Sequence, residues 1–311
     1  MSTLDPHAQA LLDAAAGSPP IWTLPVARAR ERMRAIHATG GRDDVATEDL
    51  EVAGPAGGIP VRVYRTDAAP HPVLVFLHGG GWILDDLDTH ELLAGTLAAV
   101  GGLIVVSVDY RRAPEHPFPA ALEDAVAVVR WAAAAGIAEL GGDGTLAVGG
   151  DSAGGNLAAA SALVLRDAGG PELAAQLLLY PVLDVPRDTG SYREHATGTS
   201  LTRAFMDWAF DAYAPPGVDR DDPLLVPARA RVDGLPPTRI VTAGFDPLRD
   251  EGIAWARALA DAGVPVRAWH ADDQMHGFAG RLREIPRAAA LVDEVARELG
   301  DLLRSRTALR R

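Results

Sequence analysis

The sequence predicts an α/β fold in which a mostly parallel central sheet is flanked by helices. From about residue 55, short aliphatic or β-branched runs alternate with longer Ala-rich amphipathic segments, the pattern of strands and helices in alternation. From Val73 onward the strand candidates are continuous apolar runs, which is typical of parallel strands buried on both faces. The 311 residues, 48% of them hydrophobic, suffice for a sizeable core in one large domain or two modest ones.

The elements follow this alternation along the chain. Residues 1–50 are polar, and helices are predicted near 6–16 and 26–38, on either side of the breaker Ser18-Pro19-Pro20. The strand candidates are Val61–Tyr64, Val73–Leu77, Leu103–Val108, Leu146–Gly149, Gln176–Tyr180, Arg239–Ala243 and Val266–Trp269. Further helices are predicted near 89–100, 119–135, 154–168, 251–262 and 286–304.

The alternation stops between Pro181 and Pro237. This stretch contains one helix-like segment, Leu201–Tyr213, with Pro- and Asp-rich turns around it. An insertion of this kind in an α/β domain usually lies over the carboxyl ends of the strands, where ligands bind. We therefore expect the insertion to border the functional site.

The composition excludes several kinds of chemistry. There is no Cys, and all 29 basic residues are Arg, so thiolate nucleophiles, Cys-ligated metals, Schiff bases and Ser-Lys hydrolases are excluded. The net charge of −13 argues against a nucleic-acid partner. The first ten residues carry Asp5 and no basic side chain, unlike a signal peptide. The longest uncharged stretch, Leu92–Val108, is short and interrupted by glycines, so we expect a cytoplasmic protein without stable membrane insertion.

The strongest motif is Gly150-Asp151-Ser152-Ala153-Gly154, which fits Gly-x-Ser-x-Gly. It follows a predicted strand and opens a predicted helix, which is the context that a nucleophile elbow requires. Glycines flank the serine because so tight a turn leaves no room for a Cβ, and the helix N-terminus behind it favours developing negative charge. An ordinary Gly-rich turn is the alternative interpretation. The context favours Ser152 as a nucleophile.

A second motif, His78-Gly79-Gly80-Gly81-Trp82, directly follows the strand Val73–Leu77. Three consecutive glycines leave backbone N–H groups free to approach a substrate oxygen, and a tetrahedral oxyanion needs such preorganised donors. The alternative is a phosphate-binding turn of a dinucleotide fold. The pattern Gly-x-Gly-x-x-Gly is not met, however, because position 84 is Leu.

A serine nucleophile needs a general base, and His276 is the preferred candidate. It lies in Met275-His276-Gly277-Phe278, after the last predicted strand, where α/β sheets place their sites. His270, at or near the end of that strand, is the second candidate. The other histidines lie in the N-terminal helices, at a helix start, in turns, in the insertion or in the glycine loop.

The acid that orients the base should lie between the serine and the histidine in the chain. Asp246 follows the strand Arg239–Ala243 and would hold the imidazole in the correct tautomer. Asp250 and Glu251 are competitors, but they fall at a helix start, where capping explains acidic residues well.

With these motifs the chain resembles the bacterial hormone-sensitive-lipase-like esterases of the α/β-hydrolase superfamily. The resemblance covers roughly residues 73–280, and its motifs arrive in the family's order. They are His78-Gly79-Gly80-Gly81-Trp82, the run Asp109 to Ala120, Gly150-Asp151-Ser152-Ala153-Gly154-Gly155-Asn156, Asp246-Pro247-Leu248-Arg249-Asp250 and His276-Gly277-Phe278.

The resemblance implies an α/β-hydrolase fold, a Ser152–Asp246–His276 triad and an oxyanion hole formed by the amides of Gly80, Gly81 and Ala153. It further implies a catalytic domain of residues 51–184 and 216–311, covered by cap helices in 1–50 and an inserted cap segment in 185–215. Family members usually hydrolyse short- to medium-chain acyl esters without a cofactor or metal, and many form homodimers. We expect a substrate pocket lined by Trp82, Leu201, Phe205 and Phe278.

The sequence departs from the family pattern at two acidic pairs. Soon after the aromatic of the glycine loop the family often has a small residue or glycine, but here the run is Trp82-Ile83-Leu84-Asp85-Asp86. The segment before the histidine is often apolar and contains glycine, but here it is Asp272-Asp273-Gln274-Met275. The pairs could be solvated surface charges. If they instead face the pocket mouth, anionic substrates would be disfavoured and cationic or polyhydroxylated ones tolerated.

The sequence therefore predicts a serine carboxylesterase acting on a small-molecule ester. The same site could serve a deacetylase or amidase of a natural product or xenobiotic, because one triad serves all acyl transfers. A non-catalytic small-ligand receptor on this scaffold is disfavoured by the presence of His276. An Asp-nucleophile relative, such as a dehalogenase, is disfavoured by serine at position 152.

Overall fold

The computed structural model describes residues 2–67, 69–184 and 188–310, so the first three residues of the predicted inserted cap lie outside the described part. The described strands form one sheet in the order β1-β2-β4-β3-β5-β6-β7-β8. Their bounds are β1 Ala46–Gly54, β2 Gly57–Arg65, β3 His71–Leu77, β4 Ile104–Val108, β5 Gly142–Asp151, β6 Ala175–Leu179, β7 Thr238–Phe245 and β8 Val266–Met275. The pairs β1–β2 and β2–β4 are antiparallel, and all the other pairs are parallel.

Helices connect the strands and cover both faces of the sheet. Their bounds are α1 Pro6–Ala15, α2 Val26–His37, α3 Glu91–Gly101, α4 Ala120–Trp131, α5 Ile137–Leu140, α6 Ala153–Asp167, α7 Gly190–Glu194, α8 Arg203–Tyr213, α9 Arg249–Asp261 and α10 Pro286–Arg310. A single π-helical turn at Ala132–Gly136 joins α4 to α5. Throughout the described residues, no helix is both long enough and apolar enough to cross a membrane.

The core consists of two apolar layers, one on each side of the sheet. On β3, Val73, Val75 and Leu77 pack into one layer, and Leu74 and Phe76 pack into the other. This follows from the geometry of a strand, in which successive side chains point to opposite faces. Helices α4, α6 and α9 cover the first layer, whereas α3 and α10 cover the second. Because helices cover both faces of the sheet, a ligand site is expected at the edge where the parallel strands have their carboxyl ends.

The α/β-hydrolase fold predicted from the sequence is confirmed, and each of the predicted strands is present. The strand that the sequence analysis missed is β1, which falls partly within the 1–50 segment predicted to be helical. Its residues are mostly exposed and rich in acids, because it is an edge strand paired only with β2. β8 also runs beyond the predicted end at Trp269, through the polar run that leads to Met275.

Candidate active site

Ser152 lies in the turn between β5 and α6, with a strained backbone conformation of φ 54° and ψ −117°. A Cβ on Gly154 would overlap the carbonyl oxygens of Leu77 and His78, so only glycine fits there. A Cβ on Gly150 would in turn overlap the backbone of Gly154. The turn therefore has the tight packing and the strained backbone of a nucleophile elbow. It presents the serine at the carboxyl edge of the sheet.

The imidazole of His276 connects Ser152 to Asp246. Its Nε2 lies 2.8 Å from Ser152 Oγ, and its Nδ1 lies 2.8 Å from Asp246 Oδ2. The carboxylate of Asp246 is fully buried, and its Oδ1 also accepts the amide hydrogen of Leu248 at 2.9 Å. An Nδ1–H donated to this carboxylate would leave the Nε2 lone pair facing the serine. The network is consistent with a catalytic triad.

The sheet sets this geometry. Phe245 at the end of β7 pairs with Met275 at the end of β8, so Asp246 and His276 are the next residues on two neighbouring parallel strands. The competing histidine, His270, is an exposed residue within β8, and its Nδ1 lies 2.9 Å from Thr242 Oγ1.

The competing acids hold a loop rather than the histidine. Asp250 accepts the Ser191 amide hydrogen at 2.8 Å, and Glu251 accepts that of Leu183 at 2.7 Å. Asp250 therefore secures the first turn of α7, and Glu251 secures the chain just after β6. Burial keeps the pKa of the Glu251 carboxyl well above its ordinary value.

The glycine loop lies directly beside the elbow. Gly80 and Gly81 have φ values of 96° and 62°, and both line the same cavity as Ser152. Neither of their amides donates to another residue in the described part of the chain. Ala153 is the first residue of α6, where helix geometry leaves N–H groups without an intrahelical acceptor. Three amides are thus available close to the serine.

Asp151, the residue before the nucleophile, binds the glycine loop. Its Oδ1 accepts the Gly79 amide hydrogen at 2.9 Å and lies 3.1 Å from His90 Nε2. Burial opposes the charging of His90, but the carboxylates of Asp151, Asp85 and Asp86 together outweigh it and raise the pKa of His90 to about 9. The neighbouring His78 behaves in the opposite way, since burial together with the charge on His90 lowers its pKa to about 4. From the sequence His90 is recognisable only as a residue at a helix start, so its contact with Asp151 was not predicted.

A cavity of about 330 Å³ opens above Ser152. Its walls come from α1, α2, the glycine loop, the segment after β8, and the start of α8 with the residues before it. The apolar part of the lining includes Leu11, Leu12, Met33, Ile36, Leu201 and Phe205. Two of the four residues expected to line the pocket, Leu201 and Phe205, therefore lie on this cavity.

The structure does not place Trp82 and Phe278 on the cavity, contrary to the expectation. Trp82 is fully buried and stacks on Tyr213 with ring centroids 4.5 Å apart. Phe278 packs against Tyr180 at 5.2 Å in the layer on the other side of the sheet. Each lies within two residues of a proposed site residue in the sequence, but its aromatic ring is buried in the core.

The two acidic pairs differ in their surroundings. Asp85 is buried, lines the cavity and lies 3.2 Å from His37 Nδ1 through Oδ1. Asp86 is also buried and accepts hydrogen bonds from Arg34. The interpretation of solvated surface charges is therefore wrong for this pair. The pair Asp272-Asp273 lies away from the cavity lining. Asp272 is exposed, and Asp273 pairs with Arg287.

Within the described ranges, no group of three or more His, Cys, Asp or Glu side chains is arranged to hold a metal ion.

The fold and the Ser–His–Asp network define the class of protein as an α/β hydrolase. Residues 74–280 match the α/β-hydrolase-fold family. The carboxylic ester hydrolase LipN of Mycobacterium tuberculosis is 44% identical over 263 residues, covering 81% of this chain and 70% of LipN. The esterase LipI of the same organism is 42% identical over 272 residues, covering 83% of each chain. The crystal structure of a thermostable esterase from Pseudomonas putida matches with a TM-score of 0.93 and 36% identity, covering 97% of this chain and 98% of that one.

The chain belongs to this family, within the hormone-sensitive-lipase-like esterases that the sequence motifs suggested. It is a carboxylesterase.

Proposed function

We propose that the protein hydrolyses short- to medium-chain acyl esters, with Ser152 as nucleophile, His276 as general base and acid, and Asp246 as the residue that orients the base. The observation that carries this proposal is the pair of 2.8 Å contacts that His276 makes with Ser152 and Asp246. A serine is a weak nucleophile until a base accepts its proton, and this contact provides one.

In the first step, Ser152 Oγ attacks the ester carbonyl carbon while His276 Nε2 accepts the hydroxyl proton. The carbonyl π bond opens, and its electron pair forms the oxyanion. The amides of Gly80, Gly81 and Ala153 are the donors proposed to bind that oxygen, and the positive end of α6 adds to the favourable field. His276 then protonates the leaving alcohol, and the acyl group remains on Ser152.

In the second step, water replaces the alcohol. His276 removes a proton from the water as it attacks the acyl-enzyme, and the same amides hold the second oxyanion. When this intermediate collapses, His276 returns its proton to Ser152 and the carboxylic acid leaves. Asp246 stays ionised throughout and stabilises the imidazolium that forms in each half-reaction.

The cavity supports the proposed range of acyl lengths. Its volume of about 330 Å³ lies at the lower end of the usual range for small-molecule sites, and more of its wall is apolar than polar. The side chain of Phe205 also limits the space next to the glycine loop, because a Cβ added to Gly81 would lie 3.0 Å from its Cε1 atom. Small acyl groups match a site of this kind better than long chains.

The surrounding segments fit the proposed division into a cap and a catalytic domain. The cap would consist of 1–50 and 185–215, over a catalytic domain of 51–184 and 216–311; the lining contributed by α1, α2 and Phe205 supports this division. β1 starts at Ala46, so the strand joins the sheet slightly before the proposed boundary. A cytoplasmic location, a homodimer and the absence of a nucleic-acid partner remain part of the proposal.

The test is hydrolysis of p-nitrophenyl esters with acyl chains from two to sixteen carbons. We expect the rate to be highest for the short and medium chains, and Ser152→Ala to abolish turnover of the acetate and butyrate esters. A serine-reactive phosphonate should modify the wild-type protein once and leave Ser152→Ala unmodified. Full activity in Ser152→Ala would overturn the proposed mechanism, and an optimum among the longest chains would overturn the proposed substrate range.

A further inference from the structure

Asp85 has an unusual backbone conformation for its residue type. Its φ is 59°, in the left-handed region that favours glycine, although aspartate tolerates it better than most residues. The side chain is 6% exposed, and its carboxylate lies on the cavity wall. Strain of this kind persists where the surrounding contacts hold it, and it concentrates at functional sites. The contacts of Asp85 therefore indicate what the residue does.

Asp85 packs directly against the glycine loop. The Leu84 amide donates to the Gly80 carbonyl oxygen at 2.9 Å, which closes a tight turn over residues 80–84. Asp85 Oδ2 lies 2.9 Å from the position that a Cβ on Gly80 would occupy. The direction of the Gly80 amide therefore depends on where the segment that includes Asp85 is held.

Helix α2 holds that segment through three side chains on one of its faces. Arg30, Arg34 and His37 are spaced by four and three residues, so they lie on the same side of the helix. His37 Nδ1 lies 3.2 Å from Asp85 Oδ1, and Arg34 Nε donates to Asp86 Oδ2 at 3.0 Å. Arg30 Nε donates to the carbonyl oxygen of Ile83 at 2.8 Å. Every residue from 83 to 86 except Leu84 thus has a partner on α2.

The charge balance around Asp85 is consistent with this role. Burial alone would favour its neutral form, but the facing histidines His37, His90 and His78 outweigh that effect and lower the pKa of Asp85 to about 2. Arg112 donates to the backbone oxygen of Asp85. The carboxylate is therefore ionised at neutral pH and can hold its partner on α2 with a charge-assisted contact.

We propose that Asp85 is a positioning residue for the oxyanion hole and that it acts through His37, so that helix α2 completes the site instead of only covering it. The inference rests on the proposed function, because it takes the glycine-loop amides as the oxyanion donors. A misplaced donor weakens the transition state more than the bound substrate, so the loss should fall on kcat and leave KM nearly unchanged.

The test compares two substitutions at position 85 that separate the effect of the left-handed backbone from the effect of the contact with His37. Asp85→Gly keeps the left-handed backbone and removes the carboxylate, whereas Asp85→Asn keeps both the backbone preference and an acceptor for His37. We expect Asp85→Gly to lower kcat roughly 10-fold or more, since outright loss of one oxyanion donor costs about 10²–10³. Asp85→Asn should restore most of the activity. A trifluoromethyl ketone transition-state analogue should lose affinity for Asp85→Gly in proportion to kcat/KM.

His37→Leu removes the partner without touching the loop. We expect it to lower kcat as Asp85→Gly does, and we expect the double variant to lose no more than either single variant, because both remove the same contact. Glu31→Gln, on an exposed part of the same helix, is the matched control and should behave as wild type. Thermal unfolding of each variant checks that the fold is retained.

Several results would overturn the proposal. They are an unchanged kcat in Asp85→Gly or in His37→Leu, additive losses in the double variant, and a rise in KM at constant kcat, which would make Asp85 a substrate contact instead. If Asp85→Gly fails to fold, His37→Leu and the analogue affinity decide the question. The proposed function fails separately, through activity in Ser152→Ala, so the two failures are distinguishable.

Discussion

The carboxylate of Asp151 lies 3.1 Å from the imidazole of His90, and both side chains are buried. Because Asp151 precedes the nucleophile and His90 precedes α3, this pair joins the elbow to the segment that follows the glycine loop. The same carboxylate accepts the Gly79 amide hydrogen. The nucleophile and the proposed oxyanion donors are thus connected by one carboxylate, and both Asp151 and His90 line the cavity.

This pair predicts a loss of stability at alkaline pH. His90 has a pKa of about 9 in the folded protein against an ordinary value of 6.5, so its contribution is complete below about 6.5 and is lost as the pH rises through about 9. We expect the wild type to unfold at a higher temperature than His90→Gln at neutral pH, and the difference to shrink as the pH rises from about 6.5 and to be largely lost above about pH 9. Thermal unfolding across that range measures this. A difference that grows with pH would contradict the assignment of the charge.

Replacing Asp246 by Asn should reduce kcat by about 10³–10⁴-fold while the protein stays folded. The amide can present its N–H to His276 Nδ1, which favours the tautomer that carries its proton on Nε2 and so cannot accept the Ser152 proton. Steady-state kinetics with p-nitrophenyl butyrate measures the effect. Asp272→Asn, on the exposed part of β8, is the control and should retain wild-type rates. Comparable rates in both variants would exclude Asp246 from the triad.

The elbow should not tolerate a methyl group at position 154. Gly154→Ala places a Cβ against the carbonyl oxygens of Leu77 and His78, and rigid backbone cannot move aside as a flexible side chain can. We expect destabilisation of at least about 1–3 kcal/mol, the usual cost of overpacking. Gly280→Ala has open space around its Cβ and provides the matched control. Chemical denaturation of both variants compares the free energies of unfolding, and equal values would refute the steric argument.

Phe205 should control the preferred acyl length. Its ring lies on the cavity beside Gly81, so Phe205→Ala opens space next to the proposed oxyanion donors. We expect kcat/KM for the octanoate ester to rise relative to the acetate ester by roughly 10-fold, within the range that one or two methylene contacts provide. Trp208→Ala removes a neighbouring ring, 5.5 Å from Phe205, that does not line the cavity. If both variants give the same chain-length profile, Phe205 does not set the limit.

The reacting residues could be identified from the sequence because each lies in a motif whose local context is readable. The strand–turn–helix around Ser152 and the positions of Asp246 and His276 after strands are short-range patterns. The direction in which a side chain points is harder to predict from the sequence. Trp82 and Phe278 adjoin functional residues but point into the core, since the local turn decides their direction and no periodic pattern reports it.

The contact between His37 and Asp85 joins residues 48 positions apart, and no local pattern could have paired them. The sequence did mark Asp85 as a departure from the family, but it could not show whether the acid was solvated or buried. β1 was missed for a related reason. An edge strand with polar residues on its exposed side lacks the apolar run by which the inner strands were recognised.

The pairing of β7 with β8 is uneven near the site. Between the pairs Ala243–Ala271 and Phe245–Met275, β7 advances by two residues and β8 by four. A side chain on Gly244 would overlap the backbone of Asp272, so the extra residues of β8 fold over a glycine. A bulge in β8 thus sets the distance between Asp246 and His276. A single deletion within that bulge would therefore draw His276 out of line with Asp246.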